Sequence, residues 1–341
     1  MNSVKNVVIS GYYGFENFGD EAILKVLTSK LKDCGVNVTV FSKNPEYTKE
    51  KLDVNAVYSF CIKSVFTAIK KSDILVSGGG SLLQDVTSVK SLFYYLFVIF
   101  LAVFFKKDVI IFAQGIGPIR NKFGQFVTKK MLKHCKYISV RDEKSKQTLL
   151  NWGLCPELVS DPVWNLNVGE RVIGNKIGVQ LRSWETLSDK YLSNLANELV
   201  EKFSDKEICI YSFQDVLDYE ICEKFEKMLR AKNSNIQTRI LNNLSIDETI
   251  QSFSTLDCLI AMRYHACLLA LKYGVPTLAL SYDEKVEKLA KRFELPYSLL
   301  DEKENFDSLI NQMMNLSSID LIAKTTECKF DFQNIIKIIN S

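Results

Sequence analysis

Two histidines occur in the chain, and they stand in unlike surroundings. His134, in Leu132-Lys133-His134-Cys135, reads as an ordinary helical residue. His265 follows Arg263 at the end of the apolar run 257–261 and at the start of a helical stretch, where an anionic ligand is drawn. A helix N-terminus favours neutral imidazole, whereas a bound phosphate or carboxylate favours the cation. That balance suits a group that gives and takes a proton near neutral pH; a buried structural histidine is the alternative. Arg141, in Ser139-Val140-Arg141-Asp142, sits at the mouth of another strand. Its guanidinium suits bidentate contact with carboxylate or phosphate, or an ion pair to Asp142 or a neighbouring acid. Lys285, in Tyr282-Asp283-Glu284-Lys285-Val286, offers a point charge for the same anions, or is a surface lysine at a helix start.

Glycine-rich turns end three further runs. The first leads into Gly11-Tyr12-Tyr13-Gly14-Phe15-Glu16-Asn17-Phe18-Gly19-Asp20-Glu21. Gly14 and Gly19 have the spacing of a phosphate loop, but Asp20-Glu21 replace its lysine and hydroxyl residue, and GxGxxG is absent. An acidic pair at a helix start caps exposed backbone N–H groups. Carboxylates and Asn17 also grip sugar hydroxyls better than phosphate, and both roles are compatible. Residues 73–77 end in Gly78-Gly79-Gly80-Ser81, followed by Gln84-Asp85. Three glycines bare the backbone amides to an anion, although a tight turn explains them nearly as well. Residues 108–113 end in Gln114-Gly115-Ile116-Gly117-Pro118, a strand end of the same kind.

The elements that must hold these residues alternate short β-branched runs with longer amphipathic stretches, the pattern of a parallel sheet with crossover helices. Strands are expected at 6–10, 36–41, 73–77, 108–113, 137–140 and 157–159, with helices such as 20–32 and 142–152 between them. Gly35 and Gly153 follow those helices, as left-handed caps require. After a polar stretch at 165–175 the pattern restarts with strands at 176–181, 207–213, 238–241, 257–261 and 277–280. This predicts an α/β chain of two Rossmann-like domains, 1–168 and 169–341, facing across a cleft, with a helix at 332–340 packing back. Ligands in such sheets bind beyond the carboxyl ends of the strands, where the unusual residues cluster.

The bulk numbers agree with a folded chain of two domains: 341 residues, 47% hydrophobic and 24% charged. A net charge of +3 argues against nucleic-acid binding, which needs a concentrated basic face. The nine cysteines form no CxxC pair and read as reduced thiols of a cytoplasmic protein; no signal peptide opens the chain. Residues 92–105, LFYYLFVIFLAVFF, are flanked by Lys90 and Lys106-Lys107. The run is too short to cross a bilayer, so it is core or a helix lying on a membrane surface.

Together GYYGFENFGDE (11–21), SGGGSLLQD (77–85), QGIGP (114–118), SVRD (139–142), SDP (160–162), AMRYHA (261–266) and SYDEKV (281–286) resemble the polysaccharide pyruvyl transferase family, especially members acting on secondary cell wall polysaccharides. The resemblance implies a GT-B-like fold and transfer of pyruvyl from phosphoenolpyruvate to a sugar such as N-acetylmannosamine. The sugar belongs to a lipid-linked cell-surface polysaccharide precursor at the inner membrane face, which would make 92–105 a peripheral contact there, and the products are a ketal and phosphate. It implies phosphoenolpyruvate as co-substrate, with no metal and no other cofactor. By position Arg141 and His265 match the catalytic pair and Lys285 a donor-site lysine. Arg263, Gly79, Gly80, Ser81 and Gln114 complete the donor side; Tyr13, Asn17, Asp20 and Glu21 form the acceptor side. Tyr264 stands where leucine is common and Glu284 where proline is, which bears on acceptor choice. The alternatives are a GT-B glycosyltransferase using a nucleotide sugar and a non-catalytic saccharide-binding protein.

Overall fold

Each crossover in a parallel sheet needs a helix long enough to return the chain to the same edge, and this sequence supplies one after nearly every apolar run. The computed structural model describes residues 4–172, 174–301 and 303–341. They form two units, Met1–Leu166 with Lys329–Ser341, and Asn167–Cys328.

The first unit runs β1 (Asn6–Ser10), α1 (Phe18–Asp33), β2 (Asn37–Ser42), α2 (Pro45–Leu52), β3 (Asn55–Tyr58), α3 (Ile62–Lys71), β4 (Ile74–Gly78), α4 (Val89–Phe104), β5 (Asp108–Gln114), α5 (Lys122–Leu132), β6 (Tyr137–Val140), α6 (Glu143–Asn151) and β7 (Glu157–Leu158). Its sheet is parallel, in the order β3-β2-β1-β4-β5-β6-β7. The second runs β8 (Lys176–Gln180), α7 (Asp189–Lys202), β9 (Glu207–Tyr211), α8 (Asp215–Lys232), β10 (Gln237–Leu241), α9 (Ile246–Phe253), β11 (Leu256–Ala261), α10 (Tyr264–Lys272), β12 (Thr277–Leu280), α11 (Glu284–Phe293), β13 (Tyr297–Ser298), α12 (Phe306–Met314) and α13 (Ser318–Thr325). Its parallel sheet has the order β10-β9-β8-β11-β12-β13. Both orders are those of a doubly wound Rossmann-like sheet.

The expected strands are present to within a few residues, and β3 and β13 are additions at sheet edges. In Asn-Ala-Val-Tyr of β3 both ends are exposed and only Ala56 is buried, and so short an edge strand leaves a weak sequence signal. Gly35 and Gly153 both take positive φ, 70° and 73°, as helix ends favouring glycine do.

Helix α4 contains the apolar run. Leu92, Leu96, Ile99 and Ala102 are buried in one core with Val8, Leu75, Val109 and Ile111 of the sheet, while Phe97, Phe100 and Phe104 are exposed. The helix is therefore core along one stripe only. Among the described residues no helix is long and apolar enough to cross a membrane. Residues 329–341, carried in the second domain by the sequence reading, group with the first unit and end in α14 (Gln333–Asn340). The Phe330 and Phe332 rings lie 5.0 and 5.9 Å from that of Phe112 on β5. Asn165 exchanges two hydrogen bonds with the Phe330 backbone, donating at 2.9 Å and accepting at 2.7 Å.

Candidate functional site

A doubly wound sheet opens where its strand order reverses, because the chain leaves adjacent strand ends in opposite directions. In the first unit that point lies between β1 and β4, and the unit fills it with its own side chains. Tyr13 is fully buried, and its hydroxyl donates to Gly78 O at 2.7 Å. Glu21 is buried too, and its carboxylate accepts from Gly14 N at 2.6 Å. Burial first, then the charge of Asp20, pushes the Glu21 carboxyl up to about 7. Burial, followed by the two acids, holds the Tyr13 phenol well above its usual range. Gly79 and Gly80 have φ of 86° and 59°; a Cβ would come within 2.8 Å of the Tyr13 hydroxyl at the former and 2.3 Å of Asp20 Oδ1 at the latter. Two of these glycines are thus required by neighbours inside the unit.

The acceptor-side expectation changes accordingly. Tyr13 and Glu21 are internal struts, not surface contacts. The α1 cap is Asn17, whose Oδ1 accepts from Gly19 N at 3.0 Å and Asp20 N at 3.4 Å, so Glu21 is not a capping residue. Asn17 and Asp20 remain half-buried at the helix start.

Further along the same sheet edge, Gln114, Ser81 and Arg141 are brought together. Gln114 is fully buried, and its amide donates to Ser77 O and Ser77 Oγ at 2.8 and 2.9 Å. Among the described residues its Oε1 has no hydrogen-bond partner, nor has the buried Ser10 Oγ at the end of β1. The turns after β4 and β5 are joined by Gly115 N donating to Gly80 O at 3.1 Å. Arg141 donates from Nη1 to Asp161 Oδ2 at 2.7 Å and from Nη2 towards Ser81 Oγ at 3.5 Å. The Asp161 side chain is 1% exposed and that of Arg141 11%. Asp161 also accepts from Val163 N at 3.0 Å, so the Ser-Asp-Pro motif presents one carboxylate to a helical turn and to the arginine. Asp142 is not the arginine's acid here. It caps α6, accepting from Ser145 N and Oγ at 2.8 Å each.

In the second unit the strand order reverses between β8 and β11, and the residues there are cationic. Arg263 is buried, with Nε and Nη2 donating to Asp218 Oδ2 and Oδ1 at 2.7 and 2.5 Å. The fully buried Asp218 accepts in addition from Phe213 N and Gln214 N at 3.2 and 3.1 Å. Gln180 Oε1 accepts from Arg263 N at 2.8 Å. Arg263, expected to hold the donor, instead has its fork closed on an internal carboxylate and ties α8 to the end of β11. His265 is the second residue of α10, half-buried, its ring edge-on to that of Tyr264 at 5.1 Å. Among the described residues no side chain caps α10 by a hydrogen bond. Lys285 is exposed in the first turn of α11, where Asp283 Oδ1 accepts from its backbone N–H at 3.0 Å.

One residue of this site escaped the sequence reading. Arg182 follows β8 by two positions, and its guanidinium lies 5.3 and 5.4 Å from the ring centres of Trp184 and Tyr282. Nη1 donates to the Tyr282 hydroxyl at 3.3 Å. No carboxylate pairs with it among the described residues, unlike Arg141 and Arg263. The rule that singled out Arg141, an arginine at the mouth of a parallel strand, applies equally to Leu181-Arg182-Ser183-Trp184.

The family model for polysaccharide pyruvyl transferase matches residues 17–284, a span from α1 to the first residue of α11 that includes β4 and the whole β8/β11 reversal point. The chain belongs to the polysaccharide pyruvyl transferase family. No curated protein matches it in sequence. Among solved structures, this pyruvyl transferase family chain is similar to a putative UDP-N-acetylglucosamine 2-epimerase from Listeria monocytogenes, with 13% identity, TM-score 0.65, and 96% of this chain and 93% of that one covered. It is similar also to the UDP-GlcNAc 2-epimerase of Methanocaldococcus jannaschii, at 14% identity, TM-score 0.64 and coverage of 98% and 99%. Anabaena HepE, solved with UDP and glucose, matches at 10% identity, TM-score 0.64 and 98% of both chains. At such identities the likeness is one of fold, the GT-B class of two parallel sheets with alternating helices. Among the described residues no group of three or more His, Cys, Asp or Glu side chains is arranged to hold a metal ion.

Proposed function

We propose that this family member transfers the pyruvyl group of phosphoenolpyruvate to a sugar, N-acetylmannosamine for example, of a lipid-linked cell-surface polysaccharide precursor. The observation that supports a doubly anionic donor is Arg182. A guanidinium held against two touching aromatic rings, with no carboxylate partner among the described residues, is set to take an acidic group from a ligand. His265, at the uncapped start of α10 on the neighbouring strand end, is the proton donor of this reading.

In that reaction an acid protonates the methylene carbon of the donor, which becomes a methyl group. Positive charge develops on the adjacent carbon, and a sugar hydroxyl oxygen bonds to it. The carbon–oxygen bond to phosphate breaks, and a second hydroxyl of the same sugar closes the ketal. Of the two hydroxyl protons, one replaces that given to carbon and one leaves with phosphate. Arg141 and His265 keep the catalytic roles implied by the family motifs, and Lys285 and Arg182 act on the donor's anionic groups. Arg263 becomes a positioning residue, and Asn17 and Asp20 are left as acceptor contacts. Preorganised cations of this kind are often the largest catalytic contribution.

Calorimetry with phosphoenolpyruvate beside UDP-sugars tests the reading, using the wild type, Arg141→Ala and Arg182→Ala. Donor binding in the wild type is expected, with binding lost in Arg182→Ala and turnover cut about 100-fold or more in Arg141→Ala and His265→Ala. Binding of UDP-sugars with no response to phosphoenolpyruvate would select the glycosyltransferase reading. Glycan binding without phosphate release would select a saccharide-binding protein.

A further inference from the structure

Three neighbouring helices of the first unit contain no acidic residue. They read IKSVFTAIKK in α3, VKSLFYYLFVIFLAVF in α4 and KFGQFVTKKML in α5, and every charged residue in them is a lysine. In the same unit α1, α2 and α6 each carry acids. Helix α4 packs against both α3 and α5, and the three share one core beneath them. Their outward surface is aromatic. Phe97, Phe100 and Phe104 fall three and four residues apart on one stripe of α4, and Phe104 is 66% exposed. Helix α3 adds Ile62 and Phe66, and α5 adds Phe123 and Phe126, which are 64% and 62% exposed. Ring contacts join the helices: Phe66 of α3 lies 5.1 Å from Phe105 at the end of α4, and Phe93 of α4 lies 5.9 Å from Phe123 of α5. Exposed Lys63, Lys70, Lys71, Lys106, Lys122 and Lys130 accompany them.

We propose that this face docks on an anionic lipid bilayer, independently of which reaction the chain performs. A contiguous aromatic patch of this kind is unusual on a soluble monomer and marks an interaction surface. Its charge decides the occupant. Helices whose only charges are lysines fit lipid phosphates, and aromatic rings suit the boundary between headgroups and acyl chains. A second copy docked face to face would set lysine against lysine across the symmetry axis. Helix α4 has 16 residues, about 24 Å at 1.5 Å each, which is shorter than a bilayer core of roughly 30 Å, so the contact is one of lying on the surface.

Co-sedimentation of the full chain with vesicles of phosphatidylcholine alone, and of phosphatidylcholine with phosphatidylglycerol, tests this. Binding is expected on the anionic vesicles and should weaken as salt is raised. Replacing Phe97, Phe100 and Phe104 together by serine should lower partitioning about tenfold or more with the melting temperature kept, since the rings point outward. The pair Lys70→Gln and Lys71→Gln should lower it about fivefold per lysine on anionic vesicles only. Should the serine variant misfold, the lysine pair, exposed on α3, carries the test alone. Failure to bind either vesicle, or equal binding to both, would overturn the proposal. A concentration-dependent dimer that the serine variant abolishes would give the face to a second copy instead.

Discussion

The two reversal points, β1/β4 and β8/β11, arise from the same strand-order logic and are occupied by opposite chemistry. At β1/β4 a phenol and a carboxyl fill the opening from inside, with Tyr13 bonded to Gly78 and Glu21 to Gly14. At β8/β11 two guanidinium groups stand at the strand ends, Arg263 closed on Asp218 and Arg182 stacked on rings. Topology thus supplies an opening twice, and the side chains decide whether it is sealed or charged. The same fold consequently accommodates epimerases and this family without the fold stating the reaction.

The largest expected effect breaks the charged side of the contrast. Asp218→Ala leaves the Arg263 guanidinium buried and uncompensated, which should cost about 3–5 kcal/mol by chemical denaturation. A change under about 1 kcal/mol would mean that Arg263 is not a strut. The next effect belongs to the sealed side and depends on pH. The Glu21 carboxyl is raised from 4.5 to about 7, so the native state holds a proton that the unfolded chain releases earlier. Its contribution is complete below 4.5 and is lost as pH rises through about 7, a decline of roughly 3 kcal/mol at 1.36 kcal/mol per unit. Glu21→Gln can still accept from Gly14 N and cannot ionise, so thermal melts at low and high pH should lose that decline. An unchanged pH profile would remove Glu21 from its cause. The smallest effect is that of Tyr13→Phe. It removes one buried hydrogen bond to Gly78 O and should destabilise by about 1 kcal/mol, with donor binding at β8/β11 unchanged in calorimetry.

Strand ends were the legible part of the chain. The runs before Gly78, Gln114, Arg141 and Arg263 are rich in β-branched and apolar residues, and a parallel sheet places whatever follows them at its functional edge. What each residue meets there was not legible. Arg141 finds Asp161 and Arg263 finds Asp218, 20 and 45 residues away, and only the folded chain selects Asp161 over the adjacent Asp142. The capping of α1 by Asn17 instead of the acidic pair is a local choice among three eligible residues that composition does not rank. Arg182 was readable in principle, since the apolar run before it resembles the one before Arg141.

The return of residues 329–341 to the first unit has a consequence for synthesis. Phe112 receives the Phe330 and Phe332 rings, and Asn165 closes on the Phe330 backbone, so the first unit is completed by residues made only after the whole second unit. The second unit, encoded in one stretch, can finish folding while its elder partner still waits with an aromatic socket open to water. A chaperone or a premature stop codon would meet the chain at that moment, with the first-made half the last to mature.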